Sequence, residues 1–245
     1  MPNDYRIGCS GFFYTDWKGA FYPAELPQRE WLRYYAESFD TVEINNSFYG
    51  MPSDAMVRGW YGKTPRDFRF TLKGSRYLTH LKRLREPHEP VTRFYAMADG
   101  LKEKLACVLW QLPRNLALDL DRLQTFCAEL QPRYRNVIEF RHRSWWESQA
   151  VRDILRHHEV AFCSISAPAG LPDELVETAD FAYLRFHGVT QWYRYHYSED
   201  ELRQWARRIR SLQAAEVFIY FNNDYDVHAV NNGRTLRQLL EKHRR

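Results

Sequence analysis

The chain has 245 residues, of which 44% are hydrophobic and 16% aromatic, so it is long enough for one domain with a substantial core. Its net charge of +4 permits an anionic ligand without requiring nucleic acid, which we do not favour as a partner. The sequence has no linker-like segment and no apolar run of about 18 residues, which predicts a single domain over 1–245 in a cytoplasmic protein without membrane contact.

Eight short apolar runs recur along the chain, and most of them end in a polar or charged residue. Helix-like stretches fill most of the gaps between these runs. This alternation is typical of a single (β/α)8 TIM-type barrel, in which reactive side chains lie at the carboxyl ends of the strands. The predicted strands are 5–9, 41–45, 68–73, 106–111, 137–141, 160–166, 181–187 and 217–222.

The predicted helices follow the strands in chain order, and several carry end signals. Ser53 is of the residue type that caps helix N-termini, and Ser198 with Glu201 forms a capping-box signature. The connection between the sixth and seventh strands is short, so we expect an irregular barrel there. The predicted helices cover 28–38, 53–63, 91–103, 120–131, 147–158, 198–212 and 229–242.

Alternation along each strand predicts which side chains face the barrel axis. In 41–45, Val42 and Ile44 should face the helices, which turns Glu43 and Asn45 inward. Inward charges cost several kcal/mol each unless they are paired, and a purely structural barrel holds Val, Ile and Leu instead. We therefore interpret the converging polar residues as a site. They are Glu43, Asn45, Lys73, Gln111, Glu139, Arg141, Arg185, His187 and Asn222, with Asn223 and Asp224 at the rim.

A set of motifs extends over nearly the whole chain: IGCSG at 7–11, WKG and FYP within 17–23, TVEIN followed by FY within 41–49, QLP at 111–113, EFRH followed by SW within 139–145, YLRFHG at 183–188 and YFNND at 220–224. In combination they resemble the YecE-like family, also called domain of unknown function 72. The resemblance implies a TIM-type barrel and no settled activity. Its recurring polar positions coincide with most of the residues predicted above and add His142.

Two carboxylates on different strands, Glu43 and Glu139, are candidates for a general acid and base, with His187 as a third catalytic candidate. The same carboxylates also suit a structural ion-pair network with the inward arginines. Aromatic loop residues at the same face are suited to stacking on a ligand or to capping the barrel: Trp17, Tyr49, Trp145, Trp192, Tyr193 and Tyr225. Predicted substrate-binding residues are Asn45, Lys73, Gln111, Arg141, His142, Arg185, Asn222, Asn223 and Asp224.

No compact metal-ligand motif, P-loop or dinucleotide fingerprint occurs in the sequence, so we expect neither metal nor cofactor. We expect an enzyme of hydrolase, lyase or isomerase type that uses acid/base carboxylates and an arginine-lined pocket on a small anionic or sugar-like, polyhydroxylated substrate. The same residues leave two alternatives open. One is a metal-dependent phosphoesterase acting on nucleic acid, and the other is a non-catalytic module that binds a sugar phosphate or nucleotide.

Overall fold

The computed structural model describes residues 4–168 and 170–241, and within them eight parallel strands form one sheet that curls into a nearly closed barrel. The strands are β1 (Asp4–Cys9), β2 (Thr41–Ile44), β3 (Arg69–Lys73), β4 (Leu105–Gln111), β5 (Arg135–Glu139), β6 (Ala161–Ser166), β7 (Phe181–Phe186) and β8 (Glu216–Phe221). Each strand from β2 to β7 pairs with the next along the chain, and β8 pairs with β1. The predicted TIM-type barrel is confirmed.

Helices occupy most of the connections, as predicted, and the capping box formed by Ser198 and Glu201 is present. The helix predicted over 91–103 instead starts at His88 and ends at Ala98, where Asp99 and Gly100 disfavour a longer helix and a 3-10 segment follows. The helices are α1 (Trp31–Ser38), α2 (Asn46–Tyr49), α3 (Asp54–Gly62), α4 (His88–Ala98), α5 (Leu120–Ala128), α6 (Gln149–His157), α7 (Glu199–Arg210) and α8 (His228–Glu241).

The hydrophobic core lies between the barrel wall and the surrounding helices. Outward-facing strand residues such as Phe70, Trp110 and Ile138 are fully buried there. The alternate positions point into the barrel, where the hydroxyl of Tyr220 lies 2.6 Å from Thr41 Oγ1 and 2.9 Å from Thr71 Oγ1. The barrel interior therefore contains hydrogen-bonded hydroxyl groups in addition to the charged and amide side chains near the carboxyl ends of the strands.

A side chain, rather than a backbone ladder, closes the barrel between β1 and β2. No strand pairing joins these two strands in the described part of the chain. The Tyr35 hydroxyl accepts from the Cys9 N–H at 2.7 Å and donates to the Thr41 carbonyl at 3.0 Å. Gly8 permits this close approach, because a Cβ at that position would stand 2.1 Å from the same carbonyl oxygen. The tyrosine hydroxyl thus bridges the two edges of the sheet.

The loops that follow the carboxyl ends of the strands surround one opening, which we call the mouth. After β3 the chain forms a π-helix over Tyr77–Leu81, a rare conformation that is often found at functional sites. After β5 a 3-10 turn covers Arg143–Trp145, and after β7 an irregular segment leads to α7. These loops determine which of the inward side chains remain within reach of solvent.

Candidate active site

Arg185, on β7, lies at the centre of a fully buried polar network. Its Nη2 donates to Glu43 Oε1 at 2.6 Å, and its Nη1 donates to Glu139 Oε2. The Tyr183 hydroxyl donates to the second oxygen of Glu43 at 2.5 Å. Neither glutamate has any exposed surface. One guanidinium therefore links the carboxylates of β2 and β5, the pair that the sequence nominates as acid and base.

Glu139 is bonded on both of its oxygens, because Arg141 Nε donates to Oε1. Burial by itself would raise its pKa, but the guanidiniums of Arg141 and Arg185 hold the pKa of Glu139 well below its usual range. A general acid at neutral pH needs a raised pKa instead. Glu139 is therefore ionised and paired with two arginines, which agrees with the structural ion-pair network that the sequence analysis kept as an alternative.

His187 follows β7 and contacts the same network from the side of β8. Its Nε2 lies 3.2 Å from Arg141 Nη2 and 3.4 Å from Glu139 Oε1. Its Nδ1 lies 3.1 Å from the side-chain amide of Asn222. Burial, followed by the charges of the neighbouring arginines, lowers the pKa of His187 well below its usual value, so the imidazole is neutral. It is held by three polar neighbours in one orientation.

Lys73 ends β3 at the mouth, and its Nζ makes no hydrogen bond or ion pair with any residue in 4–168 or 170–241. Its Nζ lies 4.3 Å from the centre of the Phe48 ring. Burial, followed by the charge of Arg185, lowers its pKa from 10.5 to about 7. Glu43 and Glu139 oppose this shift, but both carboxylates are already bonded to arginines. At neutral pH a large fraction of Lys73 is therefore an uncharged amine.

His80 also reaches the mouth, although alternation along the strands did not select it among the residues that follow β3. Its ring packs edge-on against Phe48, with 5.0 Å between the ring centres, and its Nδ1 lies 2.9 Å from Thr79 Oγ1. Burial and the nearby charge of Lys73 lower the pKa of His80 to about 4. The π-helix sets this orientation, and alternation along a strand cannot reveal it.

Arg141 belongs to the network through its bond to Glu139, and it also reaches the mouth, where 6% of the residue is exposed. Its Nη2 lies 3.5 Å from Gln111 Oε1. Its Nη1 has no acceptor within the described residues. The guanidinium lies over the Trp192 ring at 4.6 Å, and Arg114 lies against the same ring at 4.2 Å. Trp192 was among the predicted loop aromatics, whereas Arg114 was not singled out from the sequence.

Besides Lys73, four of the predicted substrate-binding residues lie outside this network. Asn45 bonds across the β1–β2 boundary to the Ser10 carbonyl at 2.9 Å, and its Oδ1 is buried without a partner among the residues described. Asn223 donates to the Tyr195 carbonyl and to Asn232 Oδ1. Two others have different surroundings: His142 bonds within its own 3-10 turn, and Asp224 has a pKa raised to about 6 by burial.

The predicted loop aromatics divide into buried and exposed groups. Trp17 and Trp145 are fully buried, and their indole N–H groups donate to the Asp224 and Leu116 carbonyls. These two tryptophans therefore belong to the packing of the loops. Tyr49, Tyr193 and Tyr225 are exposed by 78%, 41% and 50% and remain available for contact with a ligand.

A cavity of about 830 Å³ lies beside the network, between the loop 11–14 and α3. Asn45 is on its wall, and the rest of the lining is mainly apolar and aromatic, with Arg29 and Lys63 among the polar exceptions. No three His, Cys, Asp or Glu side chains within 4–168 and 170–241 lie together as a metal site would require. The mouth is thus lined by cations, amides and aromatic rings.

None of the described helices combines the length and the hydrophobicity that a membrane span requires.

The family model described as "Protein of unknown function DUF72" matches residues 6–245. UPF0759 protein YunF of Bacillus subtilis is 26% identical over 96% of this chain and 94% of its own length. The crystal structure of a DUF72 family protein from Thermotoga maritima has a TM-score of 0.88 and 30% identity, covering 98% of this chain and all of that one. The family resemblance seen in the motifs is confirmed.

More distant structures share the fold alone. A DUF72 family protein from Enterococcus faecalis has a TM-score of 0.82 at 21% identity, covering 97% of this chain and 95% of that one. A xylose isomerase-like TIM barrel fused to 4-hydroxyphenylpyruvate dioxygenase has a TM-score of 0.56 at 16% identity, with all of this chain matched to 44% of that one. At such identities the likeness concerns the architecture and not the chemistry.

Proposed function

The chain belongs to the DUF72 family, and we propose that it is an enzyme whose barrel mouth binds a small anionic or polyhydroxylated substrate and uses Lys73 as a proton acceptor. Lys73 is the main support for this proposal. Its amine lies at the carboxyl end of a barrel strand, where TIM-barrel enzymes hold their reactive groups, and it has no anionic partner in the described residues. A base is most effective when its pKa lies near the working pH, and that of Lys73 is lowered to about 7.

Arg141 is the group we assign to the anion. Its Nε is bonded to Glu139, but its Nη1 has no acceptor in the described residues. A carboxylate or phosphate oxygen there would receive a charge-assisted hydrogen bond from a guanidinium that Glu139 and Trp192 already hold in place. The amides of Gln111 and Asn222, each 8% exposed, offer neutral contacts for hydroxyl groups.

Glu43, Glu139 and His187 act in this proposal as positioning groups rather than as the proton-transfer residues. The two carboxylates neutralise Arg185 and orient Arg141, so they leave Lys73 without a counter-ion. His187 is neutral and fixed between Arg141 and Asn222. Proton transfer by either glutamate would first require breaking a buried ion pair, which costs several kcal/mol.

Hydrogen exchange into substrate tests this function directly. The protein is incubated in D2O with pyruvate, glycerate or ribose 5-phosphate, and deuterium uptake at carbon is followed by NMR. We expect uptake with at least one compound, rising about tenfold per pH unit below pH 7 and levelling off above it as Lys73 loses its proton. Lys73→Met should abolish the uptake.

Lys102→Met is the matched control, because it removes one exposed positive charge at the opposite end of the barrel. It should leave the exchange unchanged. Equal exchange in wild type and Lys73→Met would refute the role of Lys73. Binding of these anions without any exchange would identify a binding module instead of an enzyme.

A further inference from the structure

We infer that Lys73 is a nucleophile whose Nζ forms an imine with the carbonyl carbon of a small oxo acid or aldehyde acid. This inference rests on the proposed function, since it uses the same amine and the same anion contact. It goes further by naming the substrate class and a covalent intermediate. Proton abstraction by a free Lys73 amine would not require a carbonyl group in the substrate. In the protonated imine Nζ has no free lone pair, so exchange at the neighbouring carbon would proceed through the enamine, with water taking the proton.

The backbone of Lys73 is fixed, whereas its amine is not engaged. The Ser47 hydroxyl donates to the Lys73 carbonyl at 2.8 Å, and the next residue, Gly74, donates its N–H to the Leu109 carbonyl at 2.7 Å. By contrast, Nζ faces the ring of Phe48, which cannot accept its proton as a carboxylate would. A nucleophile needs this combination of a defined position and an unoccupied lone pair.

The surroundings of Lys73 are those that activate an amine. Lysine becomes nucleophilic when it is withdrawn from water or placed beside another cation, and both conditions hold here. Phe48 is 7% exposed and supplies the apolar side, while Arg185 and Arg141 supply positive charge. Lys104 is a useful contrast, because its Nζ donates to the Tyr61 and Thr64 carbonyls at 2.7 Å each and has no accessible lone pair.

The reaction balances without an oxidant or reductant. The lone pair of Nζ forms a bond to the carbonyl carbon, the carbonyl electron pair moves to oxygen, and a proton passes from nitrogen to that oxygen. The resulting hydroxyl group takes a proton from solvent and leaves as water, which gives a protonated imine on Lys73. Hydrolysis reverses these steps. Arg141 would hold the acid group of the substrate beside the amine.

Reductive trapping tests the inference on the 245-residue chain. Glyoxylate or pyruvate is added with sodium cyanoborohydride near pH 7, and the modified lysine is located by peptide mass spectrometry. We expect Lys73 to be labelled at least a hundredfold faster than exposed lysines, because its pKa is lowered from 10.5 to about 7 and each unit raises the uncharged fraction about tenfold. Labelling spread over surface lysines in proportion to their exposure would overturn the inference.

Three controls separate the possible causes of labelling. Lys73→Arg keeps a positive charge but cannot form an imine, so labelling at the mouth should disappear while circular dichroism stays native. Arg141→Gln should slow labelling by glyoxylate at least tenfold more than labelling by propanal, because propanal lacks the acid group and responds only to the loss of the positive charge near Lys73. Equal slowing of both reagents would contradict the role assigned to the arginine.

The two proposals can fail separately. If no imine is trapped but deuterium exchange still requires Lys73, the covalent inference is refuted and the proposed base remains. If neither trapping nor exchange depends on Lys73, both are refuted.

Discussion

Each end of the barrel holds one glutamate between two arginines, but the two arrangements differ in their contact with water. At the mouth, Glu139 is bonded to Arg141 and Arg185 and has no exposed surface. At the opposite end, Glu216 lies 3.3 Å from Arg6 Nε and 2.5 Å from Arg135 Nη1, with 18% of its side chain exposed. The same residue types therefore form a desolvated network at one end and solvent-screened ion pairs at the other.

This difference explains why one end has the features of a site. Water at the Glu216 end can solvate each charge separately, so no group there depends strongly on its partner. At the mouth, every charge depends on the others, and the carboxylates are fully taken up by the arginines. Because the arginines take up both carboxylates, Lys73 is left without an anionic partner in the described residues. The mouth can therefore receive an anion from outside the protein.

The largest expected difference in stability is between two variants that each remove one glutamate charge, one at each end of the barrel. Glu139→Gln leaves Arg141 and Arg185 buried without their shared counter-ion, and we expect it to lower the free energy of unfolding by about 3–5 kcal/mol. Glu216→Gln, the matched change at the exposed end, should cost less than about 1 kcal/mol. Urea denaturation near pH 7 measures both. Similar losses for the two variants would show that the difference in burial has no energetic consequence.

The next largest effect on stability is expected from replacing Lys73 and Lys104, whose amines are partly removed from water. The two substitutions should change the free energy of unfolding in opposite directions. The pKa of Lys73 is about 7 in the folded chain against 10.5 when unfolded, so between these values the unfolded chain binds more protons and stability rises with pH. Below pH 7 both states are protonated and the cost of burying the charge is complete. Lys73→Met should therefore stabilise the protein by roughly 2–4 kcal/mol near pH 6, and the gain should shrink toward pH 10.5.

Lys104→Met is the control for this measurement, at the end of the barrel opposite the mouth. Its Nζ bonds to two backbone carbonyls, so this substitution should destabilise the protein by about 1–3 kcal/mol. Denaturation curves collected from about pH 6 to pH 10 compare the two variants. A loss of stability for Lys73→Met at low pH would mean that Lys73 has a stabilising partner in the folded protein.

The smallest effect is expected at the exposed end and in its response to salt. Arg6→Gln removes ion pairs to Glu216 and Asp40, and we expect a loss of less than about 1 kcal/mol that fades at roughly 0.5 M NaCl. The loss caused by Glu139→Gln should persist in the same salt series, because ions cannot enter the buried network. Thermal unfolding at several salt concentrations measures both, and equal salt sensitivity would remove the distinction between the two ends.

Local periodicity explains why much of the mouth was predictable. Alternation along β2, β5 and β7 identified Glu43, Glu139 and Arg185 as inward residues, because a strand repeats every two residues regardless of its neighbours. The same reasoning is less informative past a strand end. Asn223 follows β8 but bonds to Asn232 on α8, and its surroundings depend on a helix that alternation does not describe.

The sequence does not predict which charged side chains pair and which remain unpaired, since both depend on distances between strands. No sequence pattern states that Arg185 takes both carboxylates or that Lys73 receives neither of them. His80 reaches the mouth through a π-helix, and the loop after it includes residues of positive φ such as Arg83 and Leu84. Conformations of this kind are selected by tertiary contacts, so the sequence of the loop after β3 does not predict its geometry.

The barrel wall surrounds the interior completely, but its backbone pairing is interrupted between β1 and β2, where the Tyr35 hydroxyl bridges the two strands. Elsewhere around the wall, separating two strands means breaking several backbone bonds together. Between β1 and β2 the connection is made by side chains, among them the Tyr35 hydroxyl and the Asn45 amide, so the wall can part here without breaking a backbone ladder. The loop that carries Ser10 lies directly beyond this joint, and any widening of the entrance would therefore begin beside β1.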